Sequence, residues 1–331
     1  MAAKESTRVE YGKTLAQLGE ENPQIVVLDA DLSGSTQTHH FAKVFKDRFF
    51  NMGIAEQDLM GTAAGFALGG KIPFASTFAM FATGRAWEQI RQTIAYGSLN
   101  VKIVASHGGV TVGEDGGSHQ AIEDLALMRI LPNMVVLVPA DGPETRAMTR
   151  WAAGYQGPVY MRTGRMAVPL IYDDSHVFEL GRGTILREGQ DVTLMGIGIM
   201  VQACLEAADL LAAEGIEARV VNLGCLKPLD WELVVDSAQS TGAVVTAEEH
   251  MVIGGLGSAV SEILAEHCPT PVKRVGLRDT FGMSGKPAEL LKHYGLTAED
   301  IKEAAHQVMA RKANQMAAPL MGLKAPSLAG R

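Results

Sequence analysis

Glu56 opens a run of small and apolar residues, with Met52-Gly53-Ile54-Ala55 before it and Leu59-Met60-Gly61 just after. An acid buried among apolar groups has its pKa raised and holds a proton at neutral pH. Phe74, Phe78 and Phe81 follow within the same stretch. A carboxyl group aimed at an aromatic wall suits a flat heteroaromatic ring that needs one proton. The plainer readings stand beside this one. Glu56 can complement a helix dipole as a first-turn acid, and phenylalanines three residues apart can simply pack into a core.

The loop from His107 to Gln120 reads HGGVTVGEDGGSHQ, two histidines bracketing an acidic pair and five glycines. Glycine lets backbone approach a ligand closely, and histidine with aspartate can move protons near neutral pH. The same residues could hold a metal through His107, Asp115 and His119, or serve only as turn and cap residues. Arg162 and Arg165 stand in R-T-G-R after a predicted strand. Arginine at the carboxyl end of a strand suits a bidentate phosphate contact, and a surface arginine would look alike. No G-x-G-x-x-G opens a helix after the first strand, and no G-K-[ST] occurs.

These groups need a scaffold, and 331 residues suffice for two domains with a large core. Thirty-six glycines and 6% aromatics point to an α/β protein with tight strand-to-helix turns. A net charge of −8 argues against broad binding to nucleic acid or anionic membrane, so local basic residues must bind any phosphate. No run approaches the roughly 18 apolar residues that span a bilayer, and the first residues lack the apolar core of a signal peptide. Cys204, Cys225 and Cys268 form no C-x-x-C pair, which suits reduced thiols in the cytoplasm.

The periodicity predicts a helix over 8–22, strands at 25–30 and 49–51, a helix over 55–68, a strand at 73–75 and one long helix over 78–96. Strands at 101–105, 135–139 and 159–162 alternate with helices over 122–131 and 142–153. Such alternation implies a mainly parallel sheet covered on both faces. The pattern loosens over 163–190, the candidate linker. A second βα series then runs through strands at 192–195, 218–222, 243–247 and 272–275, and helices near 286–294 and 297–311 close it. The last stretch has two prolines and little periodicity and is expected to be a surface-laid or disordered tail.

M-G-I-A-E-Q (52–57), S-T-F-A-M-F (76–81), the 107–120 loop and R-T-G-R together, in this order, resemble the transketolase family. The resemblance implies a pyrimidine-binding domain over 1–180, a smaller α/β transketolase C-terminal domain over 190–315, and a tail over 316–331. The family's diphosphate-gripping domain, with its Mg²⁺-holding G-D-G, has no counterpart here, so the chain looks like one subunit of a split transketolase.

The roles that the resemblance implies are specific. Glu56 would hydrogen-bond the aminopyrimidine of thiamine diphosphate and so promote loss of the thiazolium proton. Phe81 would pack on the pyrimidine with Phe78 beside it, and Asp31 would lie near the thiazolium. His107, Asp115 and His119 would contact sugar hydroxyls and assist proton transfer; Arg8, Ser35 and Arg162 would hold the sugar phosphate. Where single-chain members carry a third aromatic, this chain has Ala82-Thr83-Gly84. The implied reaction is reversible transfer of a two-carbon ketol unit between phosphorylated sugars, pentose phosphates by default, or branched or sulfonated sugars. No metal site is expected in this chain. Mg²⁺ or Ca²⁺ would come with an N-terminal, diphosphate-binding partner subunit in an α₂β₂ assembly. Rival readings are a beta-type subunit of a 2-oxoacid dehydrogenase, a deoxyxylulose phosphate synthase-like chain, or a non-catalytic scaffold.

Overall fold

Short apolar runs become parallel strands because helices cover both of their faces. In the computed structural model, which describes residues 3–317, this produces two large sheets, beside a short two-stranded ribbon. The first is built from β2 (Ile25–Asp29), β3 (Phe49–Asn51), β4 (Ile72–Phe78), β5 (Lys102–Ser106), β6 (Val135–Leu137) and β7 (Val159–Arg162). These strands lie side by side in the order β6-β7-β5-β4-β2-β3, all parallel. The helices around them are α1 (Thr7–Glu21), α2 (Ser33–Thr36), α3 (His39–Val44), α4 (Glu56–Leu68), α5 (Trp87–Gln89), α6 (Asp124–Arg129) and α7 (Gly142–Gly154).

The second sheet contains β9 (Thr184–Arg187), β10 (Val192–Gly196), β11 (Ala218–Asn222), β13 (Val244–Met251) and β14 (Val272–Leu277). Their order is β14-β13-β10-β11-β9, with only β9 antiparallel. Helices α8 (Met200–Ala212), α9 (Trp231–Thr241), α10 (Leu256–His267), α11 (Pro287–His293) and α12 (Ala298–Ala317) accompany it. The first sheet does not end at its own domain. Strand β12 (Cys225–Lys227), which follows β11, crosses back and pairs antiparallel with β6 as a seventh strand. The apolar core is continuous in the same direction: Val136 and Tyr160 share one buried cluster with Val221, Leu226 and Leu256.

Several expectations need correcting. The stretch 163–190 carries β8 (Ala167–Pro169), paired with β1 (Lys4–Ser6), as well as β9. These strands lie outside the strand–helix alternation that marks the parallel ones. The long helix predicted over 78–96 is interrupted. Phe78 is the last residue of β4, and α5 separates two π-helical turns, Phe81–Arg85 and Ile90–Ala95. The i, i+3 spacing of Phe78 and Phe81 thus spans a strand end and a helix start. Helix α12 runs to Ala317, past the predicted beginning of the tail, and the rest of that tail lies outside the described residues. No helix among the described residues is long and apolar enough to cross a membrane. The three cysteines are free.

Candidate active site

The carboxyl ends of β3, β2, β4, β5 and β7 line one edge of the first sheet, the edge outside which open parallel sheets bind ligands. Strand register places the side chains there. Phe78 of β4 lies opposite Ser106 of β5, so the next residue, His107, arrives beside it. The two rings stack with centroids 3.8 Å apart. Phe81 lies nearly parallel to Phe78, at 5.9 Å and 11°. His119 presents its edge to Phe78 at 6.2 Å and to Phe81 at 5.3 Å. The histidines that bracket the loop therefore close on the phenylalanine pair. Phe74 is not part of this wall: it is buried in the core beside α1, 6.5 Å from the Tyr11 ring.

Glu56 is the first residue of α4, and its side chain is 1% exposed. Arg85 Nη1 donates to Glu56 Oε2 at 3.3 Å, and the same guanidinium stands over the Phe81 ring at 5.3 Å. Sequence reasoning missed Arg85; its signal was a lone cation just after the aromatic pair. Asp31, just beyond β2, accepts a hydrogen bond from Asn51 Nδ2 at 2.8 Å. Its backbone is left-handed, φ 63°, as is that of His107, φ 62°. Such backbone costs about 1–3 kcal/mol at a non-glycine residue and persists where the surroundings over-determine it.

Arg8 Nη1 donates to the Ser35 carbonyl at 2.7 Å, so these two predicted residues do meet, and Arg8 Nε is buried without a partner. His107 Nδ1 shares a 2.8 Å hydrogen bond with Ser106 Oγ. Burial pushes its imidazole down to about 3, and Arg8, Arg165 and His119 push the same way, so the ring is neutral at neutral pH. Asp115 lies 3.7 Å from Arg165 Nη1, which also donates to the Val112 carbonyl at 2.5 Å.

Arg162 requires a correction. It is buried beneath the loop and its donors are taken up by protein groups. Its Nη2 donates to the Glu249 carbonyl at 2.8 Å and the Ala121 carbonyl at 3.3 Å, and its Nε lies 3.4 Å from Asp124 Oδ2. Asp124 also accepts from the Tyr160 hydroxyl at 2.7 Å. The half-exposed cation of R-T-G-R is Arg165, three residues later.

Sequence reasoning also missed Glu249, on β13 of the second sheet. Its Oε1 accepts from the Thr111 amide at 2.5 Å, tying the loop to the other domain. A Cβ at Gly108 would overlap Arg162, and one at Gly109, where φ is +81°, would overlap Glu249; only glycine lets the loop lie this close. The missed signal was Glu248-Glu249-His250, three consecutive ionisable residues near the end of a largely apolar strand, all of them buried. Gln120 Nε2 and Ser284 Oγ fasten the loop further, to the Met283 and Glu114 carbonyls. Among the described residues no group of three or more His, Cys, Asp or Glu side chains could hold a metal, His107, Asp115 and His119 included.

Residues 3–170 match the family described as transketolase, pyrimidine binding domain, and residues 181–301 match transketolase, C-terminal domain. The chain belongs to the transketolase family. Among its relatives within the transketolases is a chain described as a transketolase C-terminal section from Methanocaldococcus jannaschii. It is 50% identical over 305 residues, 91% of this chain and 96% of that one. A 6-deoxy-6-sulfo-D-fructose transketolase subunit, SqwH, from a Clostridium species is 44% identical, over 91% of this chain and 94% of that one. A solved structure described as a split gene transketolase, inactive beta4 tetramer, superposes with a TM-score of 0.87 at 60% identity, covering 93% of this chain and 99% of that one. The chain is thus a member of the split transketolase C-terminal subunits.

Proposed function

We propose that this chain supplies the pyrimidine half of a thiamine diphosphate site and, with a separate diphosphate-binding subunit, transfers a two-carbon ketol unit from a ketose phosphate to an aldose phosphate. The observation that carries the reading is the placement of one buried carboxylate, Glu56, beside two near-parallel rings, Phe78 and Phe81, at the carboxyl edge of the sheet. That combination fits a flat aminopyrimidine. When bound, thiamine diphosphate supplies the nucleophilic carbon and the electron sink.

This chain's residues do the rest. Glu56 holds the hydrogen bond to the ring nitrogen, and Phe78 and Phe81 orient the ring and exclude water. Asp31, fixed by Asn51 at the next strand end, would serve the thiazolium part of the cofactor. His107, neutral under working conditions, and His119 contact the sugar hydroxyls and relay protons, with Asp115 held by Arg165 beside them. Arg8, beside Ser35, and Arg165 take the anionic end of the sugar. A sulfonate has the same charge class as a phosphate, and a relative is named for a sulfonated ketose. Mg²⁺ and the diphosphate belong to the partner in this reading, the assembly is α₂β₂, and the cytoplasm is the compartment that free cysteines suit.

The deciding experiment mixes the chain with its diphosphate-binding partner, Mg²⁺ and thiamine diphosphate. Ketol transfer is expected from the mixture and not from the chain alone; the similar solved protein is itself named as an inactive tetramer. Ketol transfer by the isolated chain would overturn the two-subunit reading.

Arg165→Ala is expected to raise KM for phosphorylated sugars about 10- to 100-fold, the loss of one charge-assisted contact. KM for unphosphorylated analogues should change little. A similar rise for both substrates would remove Arg165 from the phosphate contacts.

A further inference from the structure

The wall beside Glu56 has two rings, and the residues that follow Phe81, Ala82-Thr83-Gly84, bring no third. What stands at that end of the wall is a guanidinium. Arg85 Cζ is 5.3 Å from the Phe81 ring centroid, and Arg85 Nη1 is 3.3 Å from Glu56 Oε2. One planar cation therefore touches both the wall and the carboxylate. Among the described residues it is the side chain that hydrogen-bonds Glu56.

The backbone explains how it reaches there. Phe81–Arg85 is a π-helical turn, wider than an α-turn, and such turns recur at functional sites. Thr83 Oγ1 donates to the Ala79 carbonyl at 2.8 Å and pins the turn to the end of β4. Trp87 Nε1 donates to the Leu127 carbonyl at 3.0 Å and anchors the far side. Arg85 itself is half-exposed.

We infer that Arg85 is a positioning residue: it fixes the Glu56 carboxylate toward the incoming ring and completes the flat wall that a third aromatic would otherwise complete. A guanidinium is suited to both tasks, because it stacks on aromatic faces and donates in a fixed plane to a carboxylate. A phenyl ring could perform only the stacking, whereas an ammonium donates to the carboxylate and is drawn to an aromatic face but presents no plane that completes the wall. The inference rests on the thiamine diphosphate reading above.

The test compares Arg85→Ala, Arg85→Phe, Arg85→Lys and Glu56→Gln in the two-subunit complex with Mg²⁺. Two quantities are read: the Kd of thiamine diphosphate, by isothermal titration calorimetry, and the exchange rate of its C2 proton, by quenched-flow NMR. Arg85→Ala should weaken cofactor binding and slow exchange, each by about tenfold. Arg85→Phe should restore the Kd but not the exchange rate, and Arg85→Lys the exchange rate more than the Kd. A merely structural arginine would not separate the two readouts. Unchanged exchange in both Arg85→Ala and Arg85→Phe, with exchange lost in Glu56→Gln, would overturn the inference alone. Unchanged exchange in Glu56→Gln would overturn the thiamine reading beneath it. If Arg85→Ala does not fold, the Phe and Lys variants carry the same comparison.

Discussion

Glu56→Gln is expected to slow exchange of the thiazolium C2 proton, and with it ketol transfer, by about 10²–10⁴-fold, the usual loss when a positioned acid–base group is removed. The thermal midpoint should hardly move. Gln keeps the size and a hydrogen-bonding head, and the Arg85 partner is half in water, where an ion pair contributes little. Buried position and near-neutral stability cost are both needed for the reading. Near-normal turnover would remove Glu56 from the chemistry, and a large drop in midpoint with normal exchange would make it a plain structural acid.

The second large effect is on folding. Arg162→Met should lower stability by about 3–5 kcal/mol, the cost of stranding a buried charge by deleting its partner. Asp124 would lose its cation, and the Glu249 and Ala121 carbonyls would lose their donor, at the seam between the two sheets. Denaturant unfolding reads the loss. Among molecules still folded, KM for phosphorylated and unphosphorylated sugars should shift by similar factors, unlike the selective effect expected at Arg165. An unchanged unfolding midpoint together with a selective rise in KM would return Arg162 to the phosphate contacts.

The two arginines show where the sequence is readable and where it is not. R-T-G-R announces a strand end with cations, and both look equivalent in one dimension. Arg162 is the last residue of β7, registered against Ala105 and covered by the loop that follows β5. Arg165 lies past the turn and emerges. Which cation meets solvent depends on that covering loop, and the loop's position depends on Glu249, 87 residues along the chain from Arg162. Such a long-range contact leaves no local trace.

Glu56 was legible because an acid in an apolar helix start is conspicuous whatever surrounds it. The two histidines were legible from their glycine-rich loop, although their closure on Phe78 follows only from the pairing of β4 with β5. Phe78 reads as helical in sequence because the π-helical turns carry a helix-like pattern up to a strand end. The parallel sheets were visible as apolar runs between helical stretches. Strands β1, β8, β9 and β12 were not: they lie at sheet edges or in a separate ribbon, outside the strand–helix alternation that marks the equally short β3 and β7.

The small antiparallel strand β12 has a consequence for how such a gene can be divided. It caps β6, which would otherwise present bare amide and carbonyl groups at the sheet's margin. A cistron boundary placed in the loosely patterned stretch near residue 180 would leave β12 on the wrong polypeptide. The first product would carry an uncovered edge of the kind that recruits foreign strands into aggregates, and the shared core of Val136, Val221 and Leu226 would be sliced open. The two sheets thus share an edge strand and a core, and a division between them breaks both.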